Sequence, residues 1–150
     1  MEFIPAPLYQ QILVNLPIAC VDIAIEFEQK ILLLKRKNPP AQGQWWLPGG
    51  RVHKGETLEA AALRKAQVET GLECCIEKMI YTGETIFTDG PMGIPVHSIN
   101  VCFLAHPRNL NIQPVPDRDH TDYQWCSQLI PDLHPYVREC LMATQVFDAR

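Results

Sequence analysis

The sequence predicts an α/β (α+β) sandwich, a mixed β-sheet covered by helices. Three observations predict it. β-rich apolar runs stand before and after one well-punctuated helix at residues 57–70, and further helical stretches lie near both ends. The third is size. The chain has 150 residues, 47% apolar and 20% charged, enough for a single domain, 1–150, with a sizeable core.

The elements follow in order. Residues 5–13 read as a short amphipathic helix with Leu8, Ile12 and Leu13 on its apolar side. Residues 18–27 are β-rich, with Ile18, Cys20, Asp22, Ala24 and Glu26 sharing one side. Residues 31–34 make the next strand, and a polar loop with prolines follows to residue 44. Trp45 to Leu47 lead into a glycine turn. In the helix at 57–70, Thr57 suits the N-cap, Glu59 the first turn, and Gly71 a left-handed end. Residues 73–88 read as one or two strands, 88–95 as a loop and 96–104 as a strand. Residues 108–121 are irregular and polar, 123–126 a short strand, and 136–146 a helix.

The net charge of −4 argues against broad nucleic-acid or anionic-membrane binding, both of which need a basic surface. No apolar run approaches the roughly 20 residues that span a bilayer. The first residues carry Glu2 and no basic stretch, unlike a secretory leader. The six cysteines, Cys20, Cys74, Cys75, Cys102, Cys126 and Cys140, form no C-x-x-C pair, and most sit in apolar segments. They read as buried free thiols of a cytoplasmic protein.

The stretch from Gly49 to Leu72, GGRVHKGETLEAAALRKAQVETGL, carries the chemistry. A hard cation such as Mg²⁺ takes oxygen ligands and leaves room for substrate phosphates. A carboxylate helix after a glycine turn offers such oxygens, and an arginine can fix a carboxylate bidentately. Lys65 and Glu69 are i,i+4 neighbours, so the plainer reading is a solvated helix with a surface ion pair.

These residues resemble the Nudix box, G-x5-E-x7-R-E-U-x-E-E-x-G-U, where U is a bulky aliphatic residue. Gly50, Glu56, Arg64, Glu69, Gly71 and Leu72 fall on its fixed positions. Lys65 and Val68 stand where the box has glutamates, and Ala66 where it has a bulky aliphatic. The resemblance implies a Nudix-like α/β/α sandwich with a mixed sheet and a loop–helix–loop motif. It also implies a hydrolase of small nucleotides. With Glu69 alone remaining of the box's last three glutamates, it implies one Mg²⁺, or Mn²⁺, rather than a cluster.

Residues 36–61 and the run PDRDHTDYQW at 116–125 are similar to the GDP-mannose mannosyl hydrolase branch of that superfamily. There, water attacks the anomeric carbon of the sugar and a nucleoside diphosphate leaves. The resemblance implies that His120 is the general base, a residue type suited to removing a proton near neutral pH. It matches the Gly49 carbonyl, Glu69 and Asp119 to metal ligands. It matches Arg36 to a contact with the departing diphosphate, where growing charge needs stabilising. Arg51 is a second such contact, and Arg64 positions Glu69 or Glu56. Asp22 matches a pocket carboxylate for sugar or base groups. Its place in an apolar strand marks it independently, with a buried Asp held by backbone amides as the competing reading. Asn100 stands where the relative has a bulkier aromatic, and Lys65 departs from both patterns. The branch also implies a homodimer.

Three functions follow. The first is Mg²⁺-dependent hydrolysis of a nucleoside diphosphate sugar at carbon. The second is a pyrophosphohydrolase cutting another nucleotide at phosphorus. The third is a nucleotide-binding domain without turnover, motivated by the missing glutamates and Lys65.

Overall fold

The computed structural model describes residues 4–111 and 113–147. Glu2 lies outside the described residues. Helix α1 spans Ala6–Asn15, and α2 and α3 span Leu58–Thr70 and Pro135–Ala143. The strands are β1 Ile18–Phe27, β2 Lys30–Arg36, β3 Trp45–Trp46, β4 Gly49–Arg51, β5 Cys74–Phe87, β6 Val96–Pro107 and β7 His120–Cys126.

The strands make a mixed seven-stranded sheet in the order β3-β2-β1-β6-β5, with β4 also paired to β1 and β7 to β2. β1 runs parallel to β6 along most of its length and antiparallel to β2 and β4. Helices cover both faces, which explains why Val21 to Ile25 are all buried. On one face Val21, Ile23, Ile25, Leu32 and Phe103 pack with Ala61, Ala62 and Ala66 of α2. On the other, Ala24, Leu33 and Leu104 pack with Val137, Cys140 and Leu141 of α3. This is the α/β/α sandwich that the sequence predicts. Ala66 of α2 is fully buried, so the small side chain sits where that helix meets the sheet.

Local signals set α2 well. The Thr57 hydroxyl accepts from the Ala60 amide at 3.1 Å, and Gly71 closes the helix at φ 73°. Other boundaries differ from the sequence reading. Residues 49–51, expected as a turn, pair with β1 as a short strand. A Cβ on Gly49 would strike the Val21 carbonyl and the Asp22 carboxylate, so only glycine allows that approach. β5 is a single strand, bent where its register against β6 shifts twice. β7 starts at His120 rather than Tyr123, with a register shift in β2 that pairs Arg36 with His120.

No helix among the described residues is long and apolar enough to cross a membrane. All six cysteines are free thiols. Cys74, Cys102, Cys126 and Cys140 are buried as expected, whereas Cys75 is exposed and Cys20 half-buried at the rim of a cavity.

Candidate active site

A cavity of about 450 Å³ opens between β1, β4, β6, the end of α2 and the start of β7. Asp22, Arg36, Gly49, Arg51, Glu69, Asp119 and His120 all line it. These are the sequence-predicted site residues except Arg64, which is not among the lining residues. Arg64 forks onto Glu56 at 2.7 and 3.0 Å and donates to the Arg51 carbonyl at 3.0 Å. It therefore fixes Glu56 and the backbone beneath Arg51, not Glu69. That fork holds the Glu56 carboxyl down at about 2.

Glu69 is brought to the cavity by the last turn of α2. Its Oε1 accepts from the Gly49 amide at 2.9 Å, and its Oε2 lies 3.1 Å from the Lys65 ammonium. Hydrogen bonds from Ile23 N to the Pro48 carbonyl and from Val52 N to the Ala19 carbonyl fix the β1–β4 register. In that register the Gly49–Asp22 pair is not hydrogen-bonded, so both peptide groups of Gly49 turn away from β1. The Gly49 carbonyl thus faces the side on which its amide meets Glu69. Lys65 reaches Glu69 by lying across Gly50, where a Cβ would come within 2.6 Å of the Lys65 Cε.

His120 is buried, and its Nδ1 lies 2.6 Å from Oδ1 of Asp117. Against a carboxylate, Nδ1 carries the proton of the neutral ring, which leaves a lone pair on Nε2. The same Asp117 oxygen accepts from the Asp119 amide at 3.2 Å, closing a tight turn before β7. The loop that carries this turn is docked on α2. Val115 N donates to the Thr70 carbonyl at 2.8 Å, and Asp117 N to the Glu69 carbonyl at 3.2 Å.

Asp22 is fully inside. Its Oδ2 accepts from Asn100 Nδ2 at 2.9 Å and from the Tyr136 hydroxyl at 2.8 Å. It is held by side chains, not by the backbone amides of the competing reading. Burial pushes its carboxyl up to about 6 despite both donors. Burial lowers the Arg36 guanidinium, against the pull of Glu69, Asp22 and Asp119. Arg36 Nε donates to the Pro40 carbonyl at 2.6 Å. Arg51 lies 5.5 Å from the centre of the Tyr9 ring, at the mouth. Trp46 is buried in the core beside Tyr136.

A family profile described as NUDIX domain matches residues 17–136. The chain belongs to the Nudix family. It is 34% identical over 142 residues to the low-salt glycan biosynthesis protein Agl8 of Haloferax volcanii, covering 93% of this chain and 90% of that one. It is 54% identical over 88 residues to an ADP-ribose pyrophosphatase of Methanocaldococcus jannaschii, covering 59% of this chain and half of that relative. Among solved structures it resembles the MutT NUDIX hydrolase of Burkholderia pseudomallei, at TM-score 0.70 and 28% identity, covering 86% and 98% of the two chains.

Nudix hydrolases generally use a divalent metal, and the donors here fit one hard cation. Donor atoms of Glu69, Asp117 and His120 lie within 4.8 Å of one another. Two of the three, Asp117 and His120, already face each other at 2.6 Å, which leaves Glu69 as the carboxylate for a hard cation. Glu69 and the Gly49 carbonyl would offer a cation oxygens from the same side, where the Lys65 ammonium lies 3.1 Å from Glu69 Oε2. Asp119 is not one of the trio, and its Oδ1 accepts from Asn38 Nδ2 at 3.2 Å. Asp117 is the residue that sequence reasoning missed. The signal was the run PDRDH, where a proline–aspartate start marks a turn ending at His120.

Proposed function

We propose that this chain is a Mg²⁺-dependent Nudix hydrolase of a nucleoside diphosphate sugar that cleaves at the anomeric carbon. The observation that carries this reading is that buried His120, held by half-buried Asp117, lines the same cavity as Arg36 and Glu69. An oriented imidazole outside the box gives the site a general base that needs no second carboxylate on α2. The likeness to a glycan biosynthesis protein supports a sugar nucleotide.

In this reading a water lies against His120 Nε2. Its oxygen forms a bond to the anomeric carbon while the bond from that carbon to the diphosphate oxygen breaks. The electron pair leaves with the nucleoside diphosphate, and the water's proton passes to Nε2. Asp117 holds the imidazole in the tautomer that accepts there and stabilises the imidazolium formed. Arg36, with Arg51 at the mouth, stabilises the charge growing on the leaving diphosphate. Mg²⁺, or Mn²⁺, held by Glu69 and the Gly49 carbonyl, adds positive charge at the diphosphate when bound. Asp119 serves from the rim, either as a further ligand or by holding Asn38. The whole chain, 1–150, acts as one domain, as a homodimer in the cytoplasm, on a small-molecule nucleotide and neither on nucleic acid nor at a membrane.

Hydrolysis in ¹⁸O-labelled water tests this. Label is expected in the released sugar, and label in a phosphate sinks the reading. The latter result belongs to attack at phosphorus, which the likeness to an ADP-ribose pyrophosphatase favours as the second reading.

A further inference from the structure

On the α3-facing side of the sheet, Ala24, Cys102 and Leu104 make ordinary apolar core. Toward the cavity, the same face changes character. Thr85, Ser98, Asn100 and Asp22 follow one another across β5, β6 and β1, each at most 7% exposed, and all four line the cavity. Ser98 Oγ donates to Asn100 Oδ1 at 2.6 Å, and Asn100 Nδ2 donates to Asp22 at 2.9 Å. Thr85 Oγ1 and Ser98 Oγ are 2.7 Å apart.

The hydrogens of this row can be assigned. Ser98 has one hydroxyl proton and gives it to Asn100, so Thr85 must donate to Ser98. What remains open is mainly acceptor capacity: lone pairs on Thr85 and Ser98, and the second Asp22 oxygen. The one spare donor is the other N–H of Asn100. Buried polar groups in a sheet face cost stability that apolar residues would not. A row left with spare lone pairs matches a ligand that presents several O–H or N–H donors along one edge.

Both a sugar and a nucleobase offer such donors. Position favours the sugar. Asp22 stands opposite Gly49, whose amide donates to Glu69, and shares one cavity with Arg36 and His120, so the row begins beside the proposed diphosphate contacts and base. The group bonded to the departing phosphate oxygen lies there. We propose that Thr85, Ser98, Asn100 and Asp22 form an acceptor-rich ladder that reads the hydroxyl edge of the substrate's sugar, and that Thr85, Ser98 and Asn100 set which sugar is accepted. This rests on the nucleotide-sugar reading above.

The test compares wild type, Thr85→Val, Ser98→Ala and Thr85→Ser. The substrates are the mannose and glucose conjugates of GDP, ADP and UDP, which differ within each pair only at the sugar C2. The affinity of each free nucleoside diphosphate is measured by calorimetry. Loss of one neutral hydrogen bond is expected to move the mannose-to-glucose ratio of kcat/KM by about three- to tenfold in Thr85→Val and Ser98→Ala. Nucleoside diphosphate affinity should stay within about twofold, because that half of the ligand is held elsewhere. Thr85→Ser, which restores the hydroxyl, should return the wild-type ratio. An unchanged ratio overturns the ladder alone. Nucleoside diphosphate affinity falling in step with turnover also overturns it, because the row then holds the base. A wild-type protein that takes no nucleotide sugar sinks the ladder together with the proposed function.

Discussion

Lys65→Met isolates the least expected contact of the site. In the structure Lys65 Nζ lies 3.1 Å from Glu69 Oε2, with the two side chains only 19% and 8% exposed. Two unit charges at that separation attract by about 5 kcal/mol at an effective dielectric of about 20. Most of that is offset by the desolvation of both groups. A hydrogen bond to a charged partner nets about 1.5–3 kcal/mol. A metal binding at Glu69 must displace this contact, so removing it is expected to raise metal affinity by about ten- to a hundredfold. Titration with Mn²⁺, following the free ion by electron paramagnetic resonance, reads that change without any turnover. A second signature follows from the same geometry. Without metal, Lys65→Met leaves a buried carboxylate with the Gly49 amide as its remaining partner, so Tm should fall. Saturating Mn²⁺ should restore it beyond the wild-type gain. Equal or weaker Mn²⁺ binding by Lys65→Met would refute the argument that Lys65 and the metal compete for one oxygen.

Three further outcomes are expected. His120→Ala should lower turnover by about 10²–10⁴-fold with nucleotide affinity retained, and Asp117→Asn should lower it by less, since the imidazole remains. Near-normal rates in either variant remove that residue from proton transfer. For Asp22, the folded carboxyl titrates at about 6 against an ordinary 3.8, facing Arg36 and Glu69. A raised carboxyl means that its stabilising contribution is full below the ordinary value and lost as pH rises through about 6. Asp22→Asn has no such loss, so denaturant unfolding should show its stability relative to wild type improving by roughly 2 kcal/mol from pH 4 to pH 7.5. A pH-independent difference would contradict the burial argument. For Glu56 the sign is opposite. Its folded carboxyl is held at about 2 against 4.5, so the Arg64 pair stabilises above the ordinary value and fades as pH falls toward 2. Arg64→Ala should cost about 1 kcal/mol at pH 7 for this solvent-touched pair, and the gap should close in acid.

What could be read from the sequence was what neighbouring residues settle among themselves. The Thr57 cap, the Gly71 stop and the Lys65–Glu69 spacing depend on a few consecutive positions, and the helix follows them. Asp22 was legible as well, because an acid inside an apolar strand needs a reason. The strand start at His120 was not, because its pairing partner Arg36 lies far away in the chain. Thr85 and Ser98 gave no signal either. Polar residues alternating in a strand usually mark a solvated face, and only the sheet order turns this face inward. Gly49 was singled out as a candidate metal ligand only through the family likeness. The register against β1 supplies the physical reason for its direction.

The position of the candidate base follows from how α2 ends. The last turn of a helix leaves carbonyls without partners inside the helix. Here two of them, on Glu69 and Thr70, are met by the amides of Asp117 and Val115. The loop that satisfies the helix end is thereby held beside the one box carboxylate that faces the cavity. Asp117 then does two things from that anchored backbone: it closes the turn through the Asp119 amide and grips the His120 ring. Glu69 and Asp117 consequently stand together through backbone hydrogen bonds, and the Asp117–His120 side-chain contact then fixes the ring beside them. A site built this way loses nothing in rigidity when Lys65 and Val68 replace box glutamates, since neither position contributes to the docking. The helix end thus provides a fixed place for a base that the helix itself does not carry.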